Sequence, residues 1–289
     1  MATPLLPDLS GMAPRRTISQ KPRVSIIPGN SLNHEIAPSL RHLSYEAKKL
    51  EMQLKMKPKN PTIIEGFPGL GFVATITTEF LLDHLKMHPI GRMWSPRFTP
   101  MALVHNKRIV QPIELFHNDK YNILITEAVS GVGGMEWQLA EALISLYKKT
   151  NAKEIISIEG IGASVEKKTP QVYYFTNQPD KKAILEKIGL KEIAEGVIFG
   201  VSGALMVKLP KDIKIIALFV ETQSDLPDSR AAAKLIQVLD QYLGLKIDYK
   251  PLLKRAEGFE EKLKGLMGQA KEAVALKKCK DEEQPPYYS

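Results

Sequence analysis

Short apolar runs rich in β-branched residues alternate with longer helical patterns through the middle of the chain, and this alternation constrains the fold most. Residues 122–126 (NILIT) and 215–220 (IIALFV) are nearly continuous apolar runs. A strand of this kind fits a sheet that is covered on both faces, because both of its sides then meet apolar neighbours. The pattern therefore predicts an α/β fold in which helices sandwich a mixed, mainly parallel sheet.

The predicted strands and helices all lie in one stretch of the chain. The strands are residues 62–65, 102–104, 109–112, 121–127, 154–159, 173–176, 196–199 and 214–220. The helices, read from apolar residues spaced three and four apart, are residues 71–85, 136–149, 181–188, 203–208 and 229–243. A chain of 289 residues has room for one main domain with appendages. We assign that α/β domain to residues 59–250.

The segment before the domain divides into two parts. Residues 1–30 are rich in proline and small polar residues and lack periodicity, which predicts a disordered arm. Residues 31–58 are predicted to form a helical extension with a narrow apolar stripe over residues 39–56. The stripe consists of Leu40, Leu43, Ala47, Leu50 and Leu54. It is too short for an independent coiled coil, so it is expected to pack on the domain or on a neighbouring subunit.

Residues 251–279 carry a longer stripe that predicts a C-terminal amphipathic helix. Its members are Leu252, Ala256, Phe259, Leu263, Leu266, Ala270 and Ala273. Gly258, Gly265 and Gly268 each weaken this helix by about 1 kcal/mol relative to alanine, so it needs a packing partner from the domain or from another subunit. Residues 280–289 are predicted to form a flexible docking tail.

The chain ends on Tyr287, Tyr288 and Ser289, which have the chemistry of a docking segment. A partner can capture a C-terminal carboxylate with a Lys, an Arg or backbone N–H groups. Tyr288 adds a large apolar ring with a hydroxyl group at low rotamer cost. Pro285 and Pro286 hold the preceding backbone extended. The residues alone leave two interpretations open, a partner-binding tail and a frayed terminus.

The first predicted strand of the domain runs into a glycine loop and then into a helix. Gly69, Gly71 and Ala74 satisfy the G-x-G-x-x-[GA] pattern of dinucleotide-binding loops. The acidic residue that would hold a ribose about twenty positions further on is missing. The loop, with Glu65 and Gly66 before it, is therefore either a ligand-binding site or a tight structural turn that packs the helix against the strand.

Four glutamates fall at or near the ends of predicted strands, namely Glu65, Glu127, Glu159 and Glu221. Four carboxylates at one edge would suit metal or acid–base chemistry, but sequence spacing does not show that they converge. The six histidines are scattered and include no metal-binding pair of the H-E-x-x-H type. These patterns therefore assign no catalytic residue, no metal ligand and no cofactor.

The formal charge of +8 raises the question of nucleic acid or an anionic membrane surface. The basic residues alternate with acidic ones, as in residues 181–192, which is typical of a solvated face and argues against nucleic-acid binding. No apolar run approaches the roughly twenty residues that span a membrane, and the start of the chain lacks the apolar region of a secretion signal. Cys279 is the single cysteine, which excludes an internal disulfide and fits a cytoplasmic location.

Three segments carry a resemblance to a known family. They are residues 64–71 (IEGFPGLG), residues 221–232 (ETQSDLPDSRAA), and residues 243–248 (LGLKID) followed by 252–256. In this order and spacing they resemble the proteasome assembly chaperone 2 (PAC2) family in its archaeal branch, over about residues 60–275. The resemblance implies an α/β fold of the phosphorylase/hydrolase type, a homo-oligomer and no known catalysis. Residues 1–58 depart from the family, which usually begins near the glycine-loop strand.

The resemblance also suggests a partner. Some archaeal relatives end in a hydrophobic-Tyr-any motif that docks between α-ring subunits of the 20S proteasome, and here that motif falls on Tyr287, Tyr288 and Ser289. The implied function is a proteasome assembly chaperone homologue that assists assembly or opens the gate without ATP, and not an enzyme. Some members have been described as ATP-dependent carboxylate–amine ligases. A small-molecule or nucleotide-binding enzyme that uses the glycine-loop edge is therefore the alternative.

Overall fold

The computed structural model describes residues 50–249 apart from 101, 106, 130, 163–168 and 223–225. The predicted disordered arm, most of the N-terminal helical extension, the C-terminal helix and the docking tail lie outside the described residues. Within them, a nine-stranded sheet has helices on both faces, and a two-stranded sheet accompanies it. None of the described helices is long and apolar enough to cross a membrane.

The described residues contain eleven strands and five α-helices. The strands are β1 (Glu51–Leu54), β2 (Thr62–Gly66), β3 (His88–Trp94), β4 (Leu103–His105), β5 (Arg108–Val110), β6 (Ile113–Asn118), β7 (Ile123–Ala128), β8 (Glu154–Gly162), β9 (Val172–Thr176), β10 (Lys191–Glu192) and β11 (Ile215–Thr222). The helices are α1 (Val73–His84), α2 (Glu136–Thr150), α3 (Pro179–Lys187), α4 (Gly200–Lys208) and α5 (Ser229–Leu243). A 3-10 turn, Leu70–Phe72, leads into α1.

The large sheet runs in the order β1-β3-β6-β7-β2-β8-β11-β9-β10. Its centre is parallel, because β2 pairs with β7 and β8, and β8 pairs with β11, all in parallel. On one side β6, β3 and β1 extend it by antiparallel pairing, and on the other side β9 does so. The predicted fold class, a mixed sheet sandwiched by helices, is confirmed, with the parallel pairing concentrated in the centre.

The central strands are buried along almost their whole length, which explains their continuous apolar sequences. All five residues of β2 are buried, and in β11 only Glu221 is partly exposed. Successive side chains of β2 point to opposite faces, so Ile63 and Ile64 belong to different cores. One core contains α1, α3 and α5, and the other contains α2 and α4. A strand between two such layers needs apolar residues at every position.

The helix α5 illustrates how local sequence fixes the element boundaries. Its predicted and observed bounds agree, from Ser229 to Leu243. Before it, the side chain of Asp228 accepts a hydrogen bond from the N–H of Ala231 at 2.9 Å. After it, Gly244 adopts the left-handed conformation with φ 66°. These are the residue types that begin and end helices, because they satisfy backbone groups that have no partner inside the helix.

The parallel strands give the sheet two chemically different edges. The carboxyl edge lies beyond the last residues of β2, β7, β8 and β11. The amino edge lies at their first residues, where the turn after β6 enters β7 and Asn118 stands opposite Ile123. Ligands of α/β proteins usually bind at the carboxyl edge.

The predicted helix over residues 39–56 does not extend through its last residues. Residues Glu51–Leu54 form β1, which pairs with β3, and their exposure alternates along the strand. Leu50 and Leu54 both pack against the core, and their spacing of four fits a strand of period two as well as a helix. The pattern therefore could not distinguish the two structures, and pairing with β3 decides in favour of a strand.

Several further elements differ from the sequence prediction, among them β10, which was not predicted. Residues 196–199 are not a strand but an unpaired segment before α4. The strand β3 was not predicted, because Pro89 and Gly91 interrupt its pattern, and the register with β6 shifts between these two residues. The strand β6 was not predicted because it contains the buried polar residues Glu114 and His117. Both strands are therefore determined by their neighbours in the sheet more than by their own sequences.

Candidate functional site

The glycine loop at the carboxyl edge connects β2 to α1 by a tight path. Residues 67–69 leave the strand, and the 3-10 turn Leu70–Phe72 follows. Gly71 has φ 65°, a left-handed conformation that glycine adopts without strain. Its carbonyl accepts a hydrogen bond from the N–H of Asp228 at 2.9 Å, which ties the loop to the beginning of α5. The loop is thus a fixed part of the fold.

Close packing explains two more glycines near the loop. A Cβ atom at Gly66 would overlap the side chain of Thr78 on α1. A Cβ atom at Gly160 on β8 would overlap the carbonyl oxygen of Leu70, a backbone atom that cannot move aside cheaply. These positions bring β2, β8 and α1 closer than any larger residue would allow.

Glu65, the residue before Gly66, is 1% exposed. Its Oε2 accepts a hydrogen bond from Ser157 Oγ at 2.6 Å, and Ser202 Oγ lies 3.4 Å from the same atom. Its Oε1 accepts from the N–H of Phe67 at 3.2 Å. Burial raises the pKa of Glu65 to about 7, although these hydrogen bonds act in the opposite direction. The carboxyl group therefore changes its protonation state near neutral pH.

Glu159 on β8 is the neighbour of Glu65 in this cluster. Burial raises the pKa of Glu159 to about 8, and the charge of Glu65 adds to the rise. Ser202 Oγ donates to Glu159 Oε2 at 3.3 Å, and the backbone N–H groups of Leu70 and Gly160 also bond to this carboxylate. Because the two carboxyl groups lie close together, ionisation of one disfavours ionisation of the other.

The glycine loop encloses this carboxylate of the protein itself. A Cβ atom at Gly69 would overlap Oε1 of Glu159. In a dinucleotide-binding loop the missing Cβ atoms and the free N–H groups make room for a phosphate. Here the carboxyl group of Glu159 already occupies that room, so a phosphate would have to displace it. The G-x-G-x-x-[GA] match is thus explained by packing, which favours the structural-turn interpretation of the loop.

The four side chains that meet here are called the buried acid cluster. They are Glu65, Glu159, Ser157 and Ser202. A serine that donates to a carboxylate has the form of a nucleophile with its base. However, Ser157 is 1% exposed and Ser202 is fully buried, so a substrate has no access to either hydroxyl. The cluster can hold a proton and join β2, β8 and α4, and we assign it a structural role.

The other two strand-end glutamates do not join this cluster. Burial raises the pKa of Glu127 to about 8, and the charges of Glu79, Glu114 and Asp83 raise it further. Glu221 accepts a hydrogen bond from Tyr173 Oη at 3.2 Å, on the side of β9. The four carboxylates therefore divide among three environments, and a common metal or acid–base site at the carboxyl edge is not formed by them.

Two groups of residues were missed by sequence reasoning. Ser157 and Ser202 carry no signal, since a single serine in an apolar segment is common. His88, His117 and Asp119 come together at the amino edge, with their ligand atoms within 4.8 Å of one another. Finding them required the register of β3 and β6. The predicted partner-binding residues of the tail, Tyr287, Tyr288 and Ser289, lie outside the described residues.

The domain also exposes large apolar side chains beside the β4–β5 hairpin. Trp94 is 44% exposed, and Ile109 is 62% exposed. Together with Phe98 and Pro112 they line an open groove. Exposed apolar surface of this kind often marks a contact with another protein.

Comparison with known proteins gives a consistent result. A family model described as the PAC2 family matches residues 63–267. An uncharacterized protein of Methanocaldococcus jannaschii is 28% identical over 229 residues, which are 78% of this chain and 92% of that protein.

Two solved structures from Pyrococcus furiosus share the fold. PbaA, described as an archaeal homolog of proteasome-assembly chaperone, is 33% identical with a TM-score of 0.71, covering 78% of this chain and 99% of that chain. PbaB, described as an archaeal proteasome activator, is 23% identical with a TM-score of 0.63, covering 76% of this chain and 99% of that chain. At the lower identity of PbaB the likeness concerns the fold alone.

Proposed function

The chain belongs to the PAC2 family, and from this membership we propose that it is an oligomeric homologue of the proteasome-assembly chaperones that binds the 20S proteasome α-ring. The observation that carries the proposal is the likeness to PbaA, with 33% identity over 99% of that chain. That protein is described as an archaeal homolog of proteasome-assembly chaperone. In this role the chain assists assembly of the particle or opens its gate, and it does so without ATP.

The C-terminal residues supply the docking group in this proposal. Tyr288 acts as the aromatic anchor, Tyr287 adds an apolar contact, and Ser289 presents the terminal carboxylate. Aromatic side chains that fill a pocket dominate the binding energy of many interfaces, and a carboxylate beside them can be captured by a basic side chain or by N–H groups. The consecutive prolines before Tyr287 keep this end extended toward its partner.

A homo-oligomer of this chain would present several C-terminal tails at once, and this would strengthen its binding to the 20S particle. A three-residue segment binds weakly by itself, but linked copies raise the effective concentration and so the avidity. The exposed apolar groove at Trp94 and Ile109 supports self-association, because covering apolar surface contributes about 25 cal/mol per Å². A homo-oligomer is therefore part of the proposal.

The carboxyl edge supports a role without nucleotide. The N–H of Leu70 bonds to the carboxylate of Glu159 rather than remaining available to a phosphate. The alternative function, an ATP-dependent ligase, needs a phosphate site at this edge, and the side chain of Glu159 occupies the space beside Gly69 that such a site would use. Because no observation on the described residues favours the alternative, a single function is proposed.

Peptide hydrolysis by a matched archaeal 20S particle, together with co-sedimentation, tests the proposal. The full chain should co-sediment with the particle, and deletion of residues 287–289 should abolish this binding. Tyr288→Ala should weaken it strongly, because the aromatic anchor is lost. Ser289→Ala is the matched control, since the last position of the motif accepts any residue and the carboxylate remains.

The same assay separates the two proposed roles. A faster hydrolysis of peptides by preassembled particles indicates gate opening, whereas a faster appearance of particles from separate subunits indicates assistance in assembly. Equal co-sedimentation of the full chain and the deletion variant would contradict tail-mediated docking.

A further inference from the structure

A cluster of two histidines and one aspartate lies at the amino edge of the sheet. His88 is the first residue of β3, and it stands opposite His117 of β6 in the antiparallel register. The two rings meet edge to face with centroids 5.8 Å apart. Asp119 follows in the turn between β6 and β7. Two neighbouring strands and one turn therefore assemble this cluster. It lies at the amino edge of the sheet, whereas the buried acid cluster lies at the carboxyl edge.

The tautomer of His117 follows from its neighbour Asn122. The side-chain N–H groups of Asn122 donate to the carbonyls of Lys59 and Asn60, at 3.0 and 3.1 Å. Its Oδ1 is therefore the acceptor that faces His117 Nε2 at 3.0 Å. Since an acceptor requires a donor, Nε2 carries a proton, and in the neutral ring Nδ1 carries a lone pair.

That nitrogen has no hydrogen-bond partner among the described residues. The side chain of His117 is 6% exposed, and Nδ1 is buried. It lies 3.3 Å from Oδ1 of Asp119 but forms no hydrogen bond with it. A lone pair and a carboxylate oxygen this close repel each other unless a positive charge lies between them. Leaving a buried polar atom without a partner costs about 1–3 kcal/mol.

The third member of the cluster completes a set of ligands. Nδ1 of His88 lies 3.9 Å from Oδ2 of Asp119. The side chain of His88 is partly exposed and that of Asp119 is largely exposed, so both can rotate slightly and solvent can reach them. The turn itself is held in place, because Asn118 donates to the carbonyl of Leu85 at 2.8 Å and accepts from the N–H of Tyr121 at 2.9 Å.

We propose that His88, His117 and Asp119 bind a divalent transition-metal ion, for which zinc is the best match. Zinc takes imidazole nitrogens and carboxylate oxygens at about 2.0–2.2 Å, which places neighbouring ligands of a tetrahedral site about 3.4 Å apart. The 3.3 Å between His117 and Asp119 fits this spacing. Asn122 has the role of the outer partner that orients a metal-binding histidine through its second nitrogen.

The chemistry of the ligands also separates zinc from other ions. Two imidazoles and one carboxylate suit zinc and its neighbours among the transition metals, whereas calcium and magnesium prefer oxygen ligands alone. Three protein ligands leave a fourth position for water. A bound ion would join β3 to the β6–β7 turn and would stabilise the folded chain by mass action. This site is independent of the proposed proteasome docking, which uses residues 287–289 at the C-terminus.

Zinc competition with a chromophoric chelator tests the proposal on the full chain. The background is Cys279→Ser, so that the thiol cannot supply a ligand. We expect one zinc ion per chain, an increase in melting temperature with zinc, and no increase with magnesium or calcium. His88→Ala and Asp119→Asn should each weaken zinc binding at least tenfold. Both residues are exposed enough to change without unfolding the protein.

His84→Ala is the matched control, because His84 is a nearby histidine that stacks on Phe80 and stands outside the cluster. It should leave zinc affinity unchanged. Zinc binding that is absent, or that is equal in His88→Ala, Asp119→Asn and the background chain, would overturn the proposal. Ring NMR that shows His117 with protons on both nitrogens at neutral pH in the presence of excess zinc would overturn it as well.

Discussion

The two edges of the sheet hold polar clusters that differ in how completely the protein satisfies them. At the carboxyl edge, Glu65 and Glu159 receive hydrogen bonds from serines and backbone N–H groups, and glycines bring the chain against them. At the amino edge, His117 keeps a buried nitrogen without a partner among the described residues. A cluster whose polar groups all have hydrogen-bond partners within the protein, which we call closed, is a structural element. A cluster with a polar atom that lacks such a partner can still bind a ligand. The usual ligand edge of an α/β sheet is thus the closed one here.

Gly160→Ala should produce the largest change in stability. The added Cβ atom would overlap the carbonyl oxygen of Leu70, and the overlap involves backbone. We expect the free energy of unfolding to fall by about 3 kcal/mol, measured by urea denaturation. Gly162→Ala on the same strand is the control, because within the described residues nothing lies within 4 Å of the new atom. Equal effects at both positions would show that the carboxyl edge is not closely packed.

Glu65→Gln should change how stability depends on pH. The raised pKa of Glu65, about 7, means that the folded state keeps a proton that the unfolded state releases near pH 4.5. Stability from this group is therefore greatest below pH 4.5 and is lost as pH rises toward 7. The glutamine variant cannot ionise, so it should gain about 2 kcal/mol relative to the wild type between pH 5 and pH 8.

The exposed Glu195 provides the control for that experiment. Glu195→Gln should leave the slope of stability against pH unchanged. Parallel stability curves for the wild type and Glu65→Gln between pH 5 and pH 8 would contradict the buried, protonated state of Glu65. The curves are obtained from thermal or urea unfolding in a series of buffers at constant ionic strength.

His88→Ala should have the smallest effect when metal is removed. The residue is partly exposed, and surface substitutions usually change the free energy of unfolding by less than about 0.5 kcal/mol. Urea unfolding in the presence of a chelator checks this. A loss as large as that of Gly160→Ala would show that the amino-edge cluster stabilises the fold without an ion, and the contrast between the two edges would fail.

The sequence predicted the central sheet and its helices well, because continuous apolar strands and period-3.6 helices leave little choice of fold. It also placed Glu65 and Glu159 at the ends of strands. That they are neighbours follows from the parallel pairing of β2 with β8, which the sequence does not specify. Ser202 reaches them from α4, and no local pattern marks it.

The amino edge shows the limit of such prediction more clearly. His88 and His117 are 29 positions apart in sequence, and they meet because β3 and β6 pair in one register. Pro89 and Gly91 interrupt the strand pattern of β3, and buried polar residues interrupt the apolar pattern of β6, so neither strand was predicted. Residues 51–54 were likewise assigned to a helix, because a spacing of four satisfies both periods. Which strands pair antiparallel at the margin of the sheet is decided by the tertiary structure, and no local sequence pattern specifies it.

The affinity of the full chain for a matched 20S particle, compared across three variants, tests the central claim most directly. Deletion of residues 287–289 removes the proposed docking group, Glu65→Gln alters the closed carboxyl edge, and Ser289→Ala preserves the motif. We predict that the deletion weakens binding at least tenfold, while the other two variants bind within about twofold of the wild type. A deletion variant that binds like the wild type, or a Glu65→Gln variant that loses binding, would contradict the account.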